Sequence, residues 1–239
     1  MSVKNRRARE REARREAILD AAERMLDDVG YRHLRMEQVA DAAELSKGTL
    51  YLYFDGKDAL CAGIAERRMA AIVPELRAQV EAAPDGLCAL AMMSRAFFAK
   101  VRETRQMLRF AIDWFQAPTL DDASDDFLRY RHRVSELLET MTRAIVRGQT
   151  DGSIRTDIDP FHKAVQSWSS SVGVYLFMLN AATMEKRMGR PFDAAMLELE
   201  HISALVYSLA SSPERARAVL HTLTHRSGGP TPRRADDDR

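Results

Sequence analysis

The chain has 239 residues, 46% of them apolar, and its 36 Lys and Arg nearly balance 35 Asp and Glu for a net charge of +1. That length supports one large or two modest domains with a real core, and the composition excludes a collagen-like or low-complexity chain. No run of apolar residues is long enough to span a bilayer, and the charged N-terminus lacks the apolar core of a secretory signal. Cys61 and Cys88 form neither a CxxC nor a metal-type spacing. They read as reduced thiols of a cytoplasmic protein.

The small net charge hides an asymmetry. Residues 1–15 carry seven bases (Lys4, Arg6, Arg7, Arg9, Arg11, Arg14, Arg15) against Glu10 and Glu12, or +5, leaving 29 bases and 33 acids, or −4, for the rest. A basic arm on a mildly acidic body places one polyanion contact at the N-terminus. Residues 1–10 are expected to be a disordered arm. A helix is expected from about Arg11, with Ile18, Ala22, Met25, Leu26 and Val29 on one face and Gly30 as its stop.

The stretch MEQVADAAELSKGTLYLYFDGK, Met36 to Lys57, reads as two short helices, about 36–43 and 47–53, and the start of a third. Small and apolar residues at Val39, Ala40, Ala43, Leu45, Leu50 and Tyr53 let two helices cross closely and steeply, as a helix-turn-helix requires. Ser46 can cap the second by accepting from the N–H of Gly48 or Thr49. Lys47, Gly48, Thr49, Tyr51 and Leu52 are left free to enter a DNA major groove. Asp55 is placed to cap a connecting helix over 58–82.

Beyond Pro84 the spacing predicts helices over 86–102 and 104–117, rich in Met, Phe and Trp, and a long one from the acidic stretch Asp121–Asp126 to Arg147, stopped by Gly148. Asp159 and Pro160 open another to about Arg187, Asp193 caps a further helix flanked by Phe192 and Leu197, and a short one ends near Leu223. Residues 225–239, polar and rich in Gly and Pro, read as a disordered tail. No strand pattern appears. The expectation is an all-α chain of nine or ten helices, with a head over 11–57, a connector over 58–82 and a body over 83–224.

SKGTLYLYFDGKDAL, after EQVADAAEL and a helix ending in Gly30, closely resembles the tetracycline-repressor (TetR) family of bacterial regulators. The signature covers roughly residues 14–60, and DGSIRTDIDP before a long helix is also similar to the family. The resemblance implies a homodimer with one DNA-reading head per subunit and a helical body in which a small-molecule effector lowers affinity for a double-stranded DNA operator. It implies DNA contacts from Lys47, Gly48, Thr49, Tyr51, Tyr53 and Lys57. The family favours Ser or Thr where this chain has Arg35, which lacks a capping oxygen but can reach a phosphate. It usually has Gly where this chain has Glu44. A left-handed conformation there would cost Glu roughly 1 kcal/mol.

The basic arm can solubilise, or can contact phosphate or the minor groove. Tyr51 is expected to face DNA and Tyr53 to be partly core. Met93, Phe97, Phe110, Trp114, Trp168, Tyr175 and Met178 fit an ordinary core residue by residue; as a group, with Asp113, they match the effector pocket the resemblance implies. Arg109, Asp113, Gln116 and Asn180 are the candidate orienting groups. Trp168, Val172, Leu179, Leu199, Ile202, Leu205, Val206 and Leu209 match the two helices that pair in the family's dimer. Small residues there, including Ser169, Ser170, Ser171, Gly173, Ala181, Ala182 and Ala195, allow close packing within or between protomers.

Two motifs point elsewhere. Asp121, Asp122 and Asp125 spell DDxxD, the aspartate-rich magnesium site of helical prenyl-diphosphate enzymes, without the second metal motif such an enzyme needs. His221 and His225 stand four apart, a metal-binding spacing without a third ligand. No nucleophile–base pairing or phosphate-cradling glycine loop stands out, and nothing calls for a cofactor or catalytic metal. The reading is a DNA-binding repressor, with the prenyl-diphosphate enzyme and an effector-free architectural DNA-binding protein as rivals.

Overall fold

The computed structural model describes residues 3–103 and 124–225, and within them the chain is all-helical. The expected helix 104–117, with Arg109, Phe110, Asp113, Trp114 and Gln116, lies outside those residues, as do Asp121, Asp122 and the side chain of His225. Ten helices follow in order: α1 (Val3–His33), α2 (Met36–Ala42), α3 (Lys47–Tyr51), α4 (Lys57–Ala82), α5 (Gly86–Glu103), α6 (Asp125–Asp151), α7 (Pro160–Leu179), α8 (Ala181–Met188), α9 (Ala194–Leu209) and α10 (Pro213–His225).

Helix α1 starts earlier than expected. Residues 3–10 are helical rather than a disordered arm, because Arg, Glu and Ala are good helix formers and no breaker intervenes. Arg6 and Glu10 pair across one turn at 3.6 Å. Regular helix ends at Gly30, whose φ of +73° only glycine adopts readily. Ile18, Leu19, Ala22 and Leu26 bury one stripe of α1 against Val39, Leu50, Phe54, Leu60 and Ile64, and these residues form the core of the head.

Helix α4 runs from the head into the body, continuing through Pro74. Asp55 does not cap it: Gly56 is the N-cap residue, and no side chain satisfies the first N–H groups. Helix α6 starts where Ser124 Oγ accepts from Phe127 N at 3.2 Å, with Asp125 and Asp126 in the first turn. It passes through Gly148, the expected stop, and ends at Gly152 with φ +77°.

Gly148 instead serves packing. A Cβ placed on Gly86 would lie 2.3 Å from Gly148 N and 2.4 Å from Ala144 O, so the start of α5 lies directly on the backbone of α6. Asp159 caps α7, accepting from His162 N at 2.7 Å, and Asp193 caps α9, accepting from Ala195 N at 2.8 Å. The single helix expected from Pro160 to Arg187 is two, because Asn180 Nδ2 donates to Leu176 O at 2.9 Å and ends α7. Leu76, Leu87, Phe98, Leu137, Ile145 and Leu209 anchor the body core.

Gly86→Ala should therefore destabilise the protein by about 1–3 kcal/mol, since the methyl meets backbone that cannot rotate away. Urea unfolding measures it; wild-type stability would mean that α5 and α6 do not touch here.

Candidate nucleic-acid interface and effector cavity

The five residues of α3 are held from behind. Leu50 is fully buried and Phe54 is 1% exposed, beneath α1 and α4. Ser46 Oγ accepts from Thr49 N at 3.1 Å, the cap that the sequence predicts. The opposite side is open: Tyr51 is 40% and Leu52 75% exposed. Gly48 has no neighbour tighter than Ser46 Oγ at 4.0 Å, so packing within the protein does not require a glycine there. Its missing side chain clears the approach from outside.

Lys47 pairs with Glu37 of α2, and its ammonium lies 5.9 Å from the centre of the Tyr51 ring. The pairing lowers the Glu37 carboxyl below its ordinary range and raises the Lys47 ammonium above its own. Both groups are exposed, so a phosphate can replace Glu37 at little cost. Lys57 is half-buried, its ammonium 4.2 Å from the centre of the Tyr31 ring, and Tyr31 Oη donates to Asp58 at 2.7 Å. Tyr53 is half-buried beneath the Arg11 guanidinium at 5.8 Å. Arg35 is exposed and extended at the start of α2, with no cap from its side chain. Lys47, Gly48, Thr49, Tyr51 and Leu52 thus share one small helix and the residue after it, whereas Arg35, Tyr53 and Lys57 flank them. Phe54, the anchor beneath Tyr53, was not anticipated; its placement beside buried Leu50 at i, i+4 is the available signal.

Glu44 is the residue with positive φ among the described non-glycines, at +56°. The turn imposes the left-handed conformation on a residue that resists it.

Head and body meet through apolar packing, with Phe127 and Tyr130 of α6 against the head core, and through charge. Arg15 of α1 reaches Asp126 in the first turn of α6 while its guanidinium lies 5.3 Å from the centre of the Phe54 ring. Asp126 is 6% exposed and also accepts from Arg129 at 2.6 Å. Those contacts occupy the acidic start of α6, and among the described residues no group of three His, Cys, Asp or Glu is gathered to hold a metal.

In the body, a cavity of about 980 Å³ opens between α5, α7, α9 and α10. Tyr175, Met178 and Leu179 line one wall, Ile202 and Leu199 another, and Ala181, Ala182, Ala194 and Ala195 leave the space itself. Ala181, Ala182 and Ala195, expected to allow close packing, thus border a hollow instead. Two of the anticipated pocket residues, Tyr175 and Met178, are in this wall. Met93, Phe97 and Trp168 instead close around a void of about 20 Å³, with Phe97 and Trp168 ring centres 5.1 Å apart. Asn180 is occupied in ending α7.

Sequence reasoning missed the cavity's charged groups. Arg95 donates to Leu223 O at 2.8 Å, and Arg102 is ion-paired with Glu198. Burial raises the Glu198 carboxyl above its ordinary range, and Arg102 opposes that shift.

Of the residues expected at a dimer face, Ile202, Leu205, Val206 and Leu209 are buried in the protomer's own core at 7% exposure or less. Trp168 packs on Phe97, and Leu179 lines the cavity. The uncovered apolar side chains are others: Phe161, Val165 and Phe177 on α7, and Met196, Leu199 and Tyr207 on α9, each at least 36% exposed. Only Leu199 was in the expected set. Hydrophobicity alone does not say which apolar stripe of a helix turns inward.

Residues 18–64 match the model of the family described as bacterial regulatory proteins, tetR family. The head is similar to that of the tetR family of bacterial regulatory proteins. The match covers the head from Ile18 to the first turns of α4. Similarity to the A-factor receptor protein of Streptomyces griseus is 24% identity over 160 residues, 67% of this chain but only about half (53%) of that protein's length. Similarity to the HTH-type transcriptional repressor DhaR of Mycobacterium sp. (strain GP1) is 22% over 195 residues, 79% of this chain and 96% of that one. The fold matches the fatty acid degradation regulator FadR of Bacillus halodurans with a TM-score of 0.63 at 18% identity, covering 80% and 97% of the two chains. It also matches FadR of Bacillus subtilis in complex with stearoyl-CoA, with a TM-score of 0.62 at 16% identity over 81% and 98%. The likeness in fold therefore extends beyond the matched head through the body.

Within this head, Glu44→Gly should raise stability by up to about 1 kcal/mol by relieving the left-handed turn, and should tighten duplex binding by removing a negative charge near the groove. Chemical denaturation and fluorescence anisotropy with labelled duplex read the two effects separately; a stability loss would show that Glu44 makes a compensating contact.

Proposed function

We propose that the protein is a cytoplasmic, ligand-responsive repressor that binds a near-palindromic operator as a homodimer and is released by a small amphipathic effector. The observation that carries the reading is the two-sided construction of α3, with Leu50 and Phe54 buried behind it and Lys47, Gly48, Tyr51 and Leu52 open in front. A helix of five residues has no stability of its own, so its attachment to a rigid core while its outer face stays bare suits insertion into a major groove. Arg35, Thr49, Tyr53 and Lys57 would add contacts at its edges, mostly to phosphate.

The uncovered apolar faces of α7 and α9 supply a dimer surface, with Phe161, Val165, Met196 and Tyr207 at its centre. Two heads related by a two-fold axis read half-sites one helical turn apart or slightly more. The cavity in each body, and the Arg15–Asp126 link between body and head, support effector control. An effector releases DNA only if it favours the arrangement of heads that mismatches the operator. The reading is supported by a structural neighbour, FadR of Bacillus subtilis, in complex with stearoyl-CoA, and by a relative named as a transcriptional repressor, DhaR.

Selection of bound duplexes from a random pool should return a palindrome, with affinity falling steeply as salt rises; a pool without sequence preference would refute the operator reading. Tyr51→Ala should weaken binding of the selected duplex while stability stays within about 0.5 kcal/mol. Leu50→Ala should destabilise the head by roughly 2–5 kcal/mol.

Val165→Glu combined with Tyr207→Glu should convert the dimer to a folded monomer in analytical ultracentrifugation. A double variant that sediments as a dimer would place the interface elsewhere.

A further inference from the structure

The cavity wall holds one charge that is fixed and one that is free to leave. Glu198 is 9% exposed and sits on α9 between the core and the cavity. Its partner Arg102, at the end of α5, has a side chain that is 52% exposed. Among the described residues Arg102 is the one cation paired with Glu198. Arg95, the other cation on the wall, holds the Leu223 carbonyl in the last turn of α10.

This asymmetry decides which ligand charge the cavity accepts. An anionic ligand that took Arg102 would leave Glu198 buried without a partner, and uncompensated buried charge is heavily penalised. A cationic ligand would take Glu198 and release Arg102, which is already half in water and needs only to swing outward. The same cationic ligand gains a charge-assisted hydrogen bond to a carboxylate that is itself largely out of water. The rest of the wall, with Tyr175, Met178, Leu179, Leu199 and Ile202, asks for an apolar body. A volume of about 980 Å³ is ample for a drug-sized molecule.

We propose that this cavity binds an amphipathic cation, an ammonium or amidinium group on an apolar body, with Glu198 as the counter-charge that replaces Arg102 with the ligand. The proposal rests on the reading of the body as an effector domain and names the chemistry of its effector.

The test uses the full chain and three probes of equal tail length, n-decylammonium, n-decanol and n-decanoate, each titrated by calorimetry below its micelle-forming concentration. Decylammonium should bind at least about tenfold more tightly than decanol, and decanoate more weakly than either. Glu198→Gln should remove the ammonium advantage and leave decanol affinity within about twofold of wild type. Arg102→Gln, which removes the competitor, should strengthen decylammonium binding. Circular dichroism establishes that both variants fold, and their opposite signs separate a counter-charge from a general loss of structure.

Tightest binding by decanoate, an ammonium advantage that survives Glu198→Gln, weaker decylammonium binding in Arg102→Gln, or no binding of any probe would each overturn the proposal. Because these titrations contain no DNA, they stand apart from operator release. Decylammonium that binds through Glu198 yet leaves the selected duplex bound would uphold the cavity assignment and refute effector release.

Discussion

Everything the head does depends on the burial of Leu50 and Phe54 beneath α1 and α4. A helix as short as α3 is fixed by nothing local except the Ser46 cap, worth about 1 kcal/mol. Its orientation is set by two apolar side chains that fill the space left by Ile18, Leu19 and Ile64. The outer residues of α3 are thereby freed from any structural duty. Those outer side chains can vary without endangering the fold.

The link between head and body is of another kind. Asp126 is buried, and Arg15 approaches it while covering the Phe54 ring, so the ion pair sits over the same anchor that positions α3. Contacts with phosphates across an open groove weaken steeply with salt. A contact with a buried carboxylate is much less screened. On the proposed reading, salt would loosen DNA while leaving the Arg15–Asp126 contact in place.

Much of this was legible in the chain itself. Ser46, Asp159 and Asp193 announced helix starts because a cap is a local arrangement of one side chain with N–H groups two or three residues on. The helix-turn-helix was legible for the same reason, since its close crossing constrains residue size at fixed spacings. Long-range geometry was not. Gly148 looked like a helix stop, yet its role is set by Gly86, far away in the sequence. Ala181, Ala182 and Ala195 looked like packing residues, and whether a small side chain admits a neighbour or leaves a hollow depends on where the neighbour goes. Ile202, Leu205 and Val206 turned inward although hydrophobicity alone suited them equally to a dimer face. The pairing of Glu198 with Arg102 spans two helices and leaves no trace in local pattern.

The contact between Gly86 and Gly148 has a mechanical consequence. With no side chains between them, α5 and α6 are pinned together near the far end of α6, while Asp126 sits at the opposite end of that helix. The 22 residues from Asp126 to Gly148 make a rigid arm of about 33 Å, so tilting it by about 5° about the pin carries its tip roughly 3 Å. That is the scale on which an ion pair forms or breaks. Any tilt about the two glycines would therefore be largest at the end of α6 that Arg15 touches.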